Sequence, residues 1–276
     1  MMNTFKKICM VLTLGLMLAP IAADAQKKAA GIVAHRGFWN CEEAGYAKNS
    51  IAALRCAQEA GCWGSEFDVN MTSDGVLIVY HDSDIQGKKI EKYPYSEFKD
   101  FKIKNGETIP TIDEFLEQAK KYPKTMLVYE LKPHSCAEVE DKFVELALAN
   151  LEKHGLLKPN RVMFISFSYH MCKVVAEKLP KFTVQFLGGG KAPEVVKADK
   201  INGIDYNQGV FAKHPEWVKD AQDRGMSVNA WTVNKEEGMK KMLDLGVNQL
   251  TTDQPLEARK VMKEMGIKEN VSYKVK

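Results

Sequence analysis

Short apolar runs alternate with amphipathic stretches along most of the chain. The apolar, β-rich runs predict strands at 31–35, 64–71, 126–131, 162–166, 183–187, 203–206, 227–233 and 249–252. Between them, apolar residues recur at helical spacing. This predicts helices at 50–60, 111–122, 136–154, 169–179, 192–199, 214–224 and 235–245, and a last helix beginning near Pro255. Asn49 or Ser50 suits the N-cap of the first helix. Eight strand-then-helix units argue for a parallel sheet covered by helices. That number in about 250 residues suits a closed (β/α)8 TIM barrel better than an open doubly wound sheet. Residues 26–276 are accordingly expected to form one barrel domain.

One strand breaks the alternation. Residues 76–81 are apolar and β-rich, yet only Thr72-Ser73-Asp74-Gly75 separates them from the preceding strand. A parallel crossover needs a dozen or more residues, so an antiparallel hairpin is expected after the second strand. Asp74-Gly75 is suitable turn chemistry. A four-residue turn sets Glu66 opposite His81, and a two-residue turn sets Asp68 opposite His81. Either register puts His81 on the face that carries Glu66 and Asp68. Residues 83–110 are polar, lysine-rich and weakly periodic, and read as a small insertion over the barrel mouth.

The N-terminus reads as a segment apart from the fold. Lys6 and Lys7 precede an apolar run over 8–22, and Ala23-Asp24-Ala25 is a small-residue cleavage pattern. Residues 1–25 are therefore expected to be a signal peptide cut before Gln26. That implies export to the periplasm or the medium, with no stable membrane insertion afterwards. Apolar residues make up 45% and charged residues 27% of the chain, which allows a large soluble core. The net charge of +3, without a clustered basic face, argues against a nucleic-acid partner. Beyond the leader the cysteines are Cys41, Cys56, Cys62, Cys136 and Cys172. Their odd number leaves at least one unpaired within the chain. With no C-x-x-C pair, most of them are expected to be small buried hydrophobes rather than a thiolate zinc site.

Barrel enzymes place their chemistry at the C-terminal ends of the strands. There the sequence has His35-Arg36-Gly37, Glu66-Phe67-Asp68, His81-Asp82, Glu130-Leu131-Lys132 and Trp231. Charges set in apolar runs must be paired, metal-bound or functional. Glu66 and Asp68 share a strand face, and Glu130 arrives from the neighbouring strand. Three converging carboxylates repel one another unless a hard divalent cation, Mg2+ or Ca2+, sits among them. An ion-pair cluster with the nearby lysine and arginine is the alternative. His35 and His81 suit a proton-acceptor and proton-donor pair. Arg36 and Lys132 suit phosphate contacts, and Trp231 suits either a pocket wall or core packing. His134 is close enough to the third strand to reach the rim. His154, His170 and His214 are expected on the surface.

In this order, Ala34-His35-Arg36-Gly37, Asn49-Ser50, Glu66-Phe67-Asp68-Val69, Asp74-Gly75, His81-Asp82, Ile109-Pro110-Thr111, Glu130-Leu131-Lys132, Ser166-Phe167, Trp231-Thr232-Val233-Asn234 and Thr252-Asp253-x-Pro255 resemble the glycerophosphodiester phosphodiesterase family. The resemblance covers nearly all of the mature chain. It implies a metal-dependent barrel hydrolase that converts glycerophosphodiesters to glycerol phosphate and an alcohol. By motif position it implies Glu66, Asp68 and Glu130 as ligands of one Mg2+ or Ca2+, His35 and His81 as the acid–base pair, and Arg36 and Lys132 as phosphate contacts. The family's usual Pro-Glu-Asn-Thr is here Ala47-Lys48-Asn49-Ser50, a cation where relatives carry a carboxylate. The segment after His81-Asp82 lacks the usual Asp-Arg-Thr-Thr. A phospholipase-type or cyclising phosphodiesterase would use the same histidines, and a non-catalytic phosphate-ligand binding protein would be expected to have lost one of these groups.

Overall fold

A computed structural model describes residues 29–271. The expected signal peptide lies outside the described residues. The first half of the chain forms β1 (Ala29–Ala34), α1 (Ile51–Glu59), β2 (Gly64–Met71), β3 (Leu77–Val79), β4 (Asp84–Ile85), β5 (Lys88–Lys89), α2 (Ile112–Lys120), β6 (Met126–Leu131) and α3 (Ala137–Lys153). The second half forms β7 (Val162–Ser166), α4 (Tyr169–Lys178), β8 (Val184–Phe186), α5 (Pro193–Ala198), β9 (Gly203–Asn207), α6 (Gln208–Lys213), α7 (Glu216–Asp223), β10 (Ser227–Trp231), α8 (Glu236–Leu245), β11 (Gln249–Thr252), α9 (Pro255–Glu264) and β12 (Lys268–Asn270).

The parallel strands run β1, β2, β6, β7, β8, β9, β10, β11 in sequence around the sheet, and β1 pairs with both β2 and β11. That last pairing closes the sheet into a (β/α)8 barrel and excludes the open doubly wound form. Strand alternation then divides the core. Ile32, Phe67 and Tyr129 pack outward in the large cluster shared with the helices, whereas Val33, Val128, Met163 and Ile165 fill the barrel interior. Among the described residues, no helix is long and apolar enough to cross a membrane.

The hairpin forms, but in neither expected register. Val69 pairs with Val79 and Met71 with Leu77, and Asp68 O accepts from Tyr80 N at 3.0 Å. Continued further, this register would set His81 opposite Phe67, on the outward face. The strand ends at Val79, however, and the chain bends, so His81 reaches the pocket from beyond the ladder. The register shifts because the turn is held by Thr72. Its N–H donates to Val76 O, and its Oγ1 accepts from Val76 N and donates to Asp74.

The lysine-rich insertion has its own small core. Ile85, Ile90, Phe98 and Ile109 bury themselves against Ile78 of β3, and β4 pairs with β5 as a short hairpin. Glu107 fastens it to the barrel by accepting from Ile51 N and Ala52 N, at 2.9 and 3.2 Å. Those amides open α1, where a carboxylate satisfies unpaired donors and complements the helix dipole. Ser50 is the N-cap of that helix and accepts from Ala53 N.

The helix expected at 214–224 forms as α7, and two elements outside the predicted pattern join it. A short helix, α6, precedes it, ending at Lys213 before His214-Pro215. The polar strand β12 has no apolar signature. It fills the edge of β1 at Ala29–Gly31, below where β2 begins to pair, and Arg259 clamps it through two 2.8 Å contacts to Glu269. His154, expected on the surface, is half-buried, its ring covered by the exposed carboxylates of Asp113 at 2.6 Å and Glu117 at 3.1 Å.

Candidate active site

Asp68 and Glu130 are direct partners in the β2–β6 ladder, and Glu66 lies one pleat below Asp68 on the same face. All three point into the barrel and are buried. One carboxylate oxygen from each lies within 4.8 Å of the others. Burial, followed by the charge of Asp68, raises the Glu66 carboxyl well above the ordinary range, and the same causes push Glu130 up to about 7. Asp68 differs. Burial would raise it, but Lys132, His81 and Arg36 together hold it below the ordinary value.

Two cations offset part of this charge. Lys132 Nζ lies 3.1 Å from Asp68 Oδ1 and 2.8 Å from Glu130 Oε1, and Arg36 Nε lies 3.4 Å from Asp68 Oδ2. Three carboxylates thus face two cations. Glu66 Oε1 has no hydrogen-bond partner, although its Oε2 accepts from Arg36 N at 2.7 Å. A buried carboxylate oxygen without a donor is costly. An all-oxygen trio that leaves Glu66 Oε1 without a partner and Glu130 Oε1 with only the Lys132 ion pair, and that outnumbers its cations, fits a hard divalent cation.

The backbone around the trio is in an unusual conformation. Arg36 and Asn49 both adopt left-handed φ, 56° in each case, and Asn49 N donates to Arg36 O at 3.0 Å. Asn49 tolerates this conformation better than most residues. Its side chain donates to Asp68 Oδ2 at 2.9 Å and accepts from Asp68 N at 3.2 Å, fixing that carboxylate. Gly37 has φ 77°, and a Cβ there would lie 2.7 Å from the Ala53 carbonyl carbon. Only glycine lets the loop pass α1 and aim Arg36 N at Glu66. Gly37→Ala is expected to lower stability by about 2 kcal/mol or more, the left-handed cost plus the clash. It should reduce turnover as well. Thermal melts and steady-state assays check this, and an unshifted melt would refute it.

His35 and His81 both line the mouth pocket, a cavity of about 220 Å3. His35 Nδ1 is 2.8 Å from Asp253 Oδ1. The same oxygen accepts from Trp39 Nε1 at 2.9 Å, while Asp253 Oδ2 accepts from Asn234 at 2.6 Å. Burial alone would raise Asp253, but its bond to His35 and these other donors hold it at about 2. An ionised Asp253 fixes the His35 proton on Nδ1 and leaves Nε2 to accept one. His81 Nδ1 sits 2.7 Å from Asp82 Oδ1, and its ring is 40% exposed toward the mouth. Burial lowers the His81 imidazole, against the pull of Asp68 toward the cation.

Arg36, Glu66 and Glu130 also line this pocket, while Asp68 and Lys132 lie behind them. Trp231 lines the opposite wall. Its Nε1 donates to Asp205 O at 2.8 Å, and its ring meets Phe167 edge-on at 5.6 Å. His134 does not line the mouth pocket. It is a half-buried clasp whose Nδ1–H donates to Lys132 O and whose Nε2 accepts from Met71 N.

Asp205 is a pocket residue that the sequence pattern does not single out. Its Oδ2 accepts from Asn229 at 3.1 Å, its Oδ1 is buried without a partner, and burial followed by Glu130 raises it well above the ordinary range. A carboxylate inside an otherwise apolar strand was the available signal. Asp253 was visible only as part of a motif.

A sequence model of the glycerophosphoryl diester phosphodiesterase family matches residues 35–257. The chain belongs to that family. A glycerophosphodiester phosphodiesterase structure from Parabacteroides distasonis is 40% identical, with a TM-score of 0.83 over 87% of this chain and 98% of that one. A phosphodiesterase from Oleispira antarctica, in complex with the product sn-glycerol-3-phosphate, is 25% identical, with a TM-score of 0.72 over 84% and 96% of the two chains. Among curated relatives, the glycerophosphodiester phosphodiesterase of Caldanaerobacter subterraneus is 28% identical over 81% of this chain and 94% of its own length. As a glycerophosphodiester phosphodiesterase, the chain is an enzyme.

Proposed function

We propose that this phosphodiesterase hydrolyses glycerophosphodiesters to glycerol phosphate and an alcohol by histidine acid–base catalysis at a site charged with one Mg2+ or Ca2+. The observation that carries the reading is the meeting of His35, His81 and the buried carboxylate trio at one pocket. Glu66, Asp68 and Glu130 would hold the ion, which would supply positive charge to the phosphoryl oxygens as the bond breaks. Arg36, exposed to the pocket from its left-handed turn, binds and orients a phosphate oxygen. Lys132 has a different part from the direct contact its position suggests. It is bonded to Asp68 and Glu130, so it balances the trio from behind. The ring edges of Phe167 and Trp231 form an apolar wall for the glycerol carbons and exclude water there.

Water attacks phosphorus as the P–O bond to the alcohol breaks. His35 Nε2 takes the proton from the attacking oxygen, with Asp253 stabilising the imidazolium. His81, at the open side, delivers a proton to the departing alkoxide. A phosphorus NMR time course with glycerophosphodiesters should show glycerol phosphate as the first product. Accumulation of a cyclic phosphate would overturn direct hydrolysis in favour of attack by a substrate hydroxyl. Absence of any turnover would overturn the catalytic reading in favour of a phosphate-ligand binding protein. Export of the mature chain, with its substrate met outside the cytoplasm, is proposed on the N-terminal sequence.

A further inference from the structure

We infer that a groove beside the mouth selects glycerophosphodiesters whose alcohol is itself anionic, a phosphorylated polyol, over those whose alcohol carries an ammonium group; the inference rests on the phosphodiesterase reading above. The groove measures about 450 Å3 and lies between the loop before α1 and the insertion. Rings of Trp39, Tyr46 and Tyr80 line it together with the ammonium groups of Lys48, Lys102 and Lys104. It adjoins the reacting centre on both sides. Tyr80 directly precedes His81, and Trp39 shares Asp253 Oδ1 with His35. A head group leaving at His81 therefore has the groove next to it.

Aromatic faces ordinarily attract a quaternary ammonium through the ring quadrupole. Here two of those faces are already taken by the protein's own cations. Lys48 Nζ lies 4.5 Å from the Trp39 ring centroid, and Lys104 Nζ lies 5.2 Å from that of Tyr46. A choline-like group would have to displace a tethered cation and sit among three like charges. A phosphate on the alcohol meets three long, exposed lysines that can turn toward it as point charges. Asp82 and Asp84 act on the Tyr80 hydroxyl, but neither lines the groove.

The test compares kcat/KM for three substrates on one scaffold: glycerophosphoglycerol phosphate, glycerophosphoglycerol and glycerophosphocholine. Wild type is expected to rank them anionic, neutral, cationic, with about tenfold or more between the extremes at low salt and less at high salt. Lys48→Glu should shrink that ratio, and the triple change with Lys102→Glu and Lys104→Glu should reverse it. The three lysines are exposed, so the melting temperature should hold, and in each variant kcat/KM is read relative to glycerophosphoglycerol, whose alcohol is uncharged. Equal kcat/KM for all three substrates in wild type, or a ranking that survives charge reversal, would overturn the inference while leaving the phosphodiesterase intact. No hydrolysis of any of the three would overturn the phosphodiesterase reading and the inference with it.

Discussion

His35→Ala is expected to lower kcat on a glycerophosphodiester by about 10²–10⁴-fold, and His81→Ala by a similar factor, with the melting temperature nearly unchanged. Neither imidazole carries core packing, since both sit at the partly exposed mouth. The two losses are not equivalent, and the leaving group separates them. With a nitrophenyl ester as substrate the departing anion needs no proton. His81→Ala should then recover most of its activity, whereas His35→Ala should stay impaired, because water must still be deprotonated. Asp253→Asn should fall between, as it disturbs the His35 tautomer and leaves the ring in place. The double His variant should lose less than the product of the single losses, because the two groups act in one transition state. Near-normal turnover in both single variants would remove the acid–base assignment. Equal recovery of both on the activated ester would remove the division of labour.

Chelation is expected to abolish activity, with Mg2+ or Ca2+ restoring it, and the same ion should raise the melting temperature. At a hundredfold excess over Kd, binding to the native state alone stabilises by about 2.7 kcal/mol. For a chain of this length that corresponds to roughly 5–10 °C. Glu66→Gln should lose both effects. Its metal-free form should nonetheless melt above the metal-free wild type at pH 8, because one of three mutually repelling buried carboxylates is gone. The pH dependence follows in sign. Glu130 is raised by burial, then by Asp68, from 4.5 to about 7 in the folded protein, and Glu66 is raised in the same direction. Between those two values the native state holds more protons than the unfolded chain, so metal-free stability should fall as pH rises across that window. The increment from the ion should grow over the same window, because the ion requires ionised ligands. Asp253, held at about 2, contributes oppositely, with stability lost only in strong acid. Full activity in chelator, or an identical ion-induced shift in Glu66→Gln, would refute the metal site.

How far the sequence could be read depended on whether a residue's neighbours were local. The barrel strands and an N-cap at Asn49 or Ser50, which the structure places at Ser50, follow from period, composition and capping chemistry, which act within a few residues. The strand-end position of His35, Glu66, Asp68 and Glu130 follows from the same alternation. The hairpin register did not follow. Thr72 joins the turn with its side chain and shifts the ladder by one residue, a choice that loop length alone leaves open. Asp205 was hidden for another reason. Its importance comes from Asn229 and from the unpartnered oxygen it turns toward the pocket, both set by barrel closure. The insertion read as polar because its buried residues, Ile85, Ile90, Phe98 and Ile109, are spaced too irregularly for any one period.

The sequence by itself determined the barrel, the order of its strands and the acidic, histidine-tipped ends of β1, β2 and β6, because strand alternation and parallel crossovers leave few other arrangements. Only the tertiary structure decided which charges meet: Lys132 against Asp68 and Glu130, Asp253 on His35 from 218 residues away, and three lysines around one aromatic groove. Contacts of that kind depend on closure of the sheet and the path of the insertion. Electrostatic coupling acts across space, whereas the patterns legible in a chain report only what is near along it.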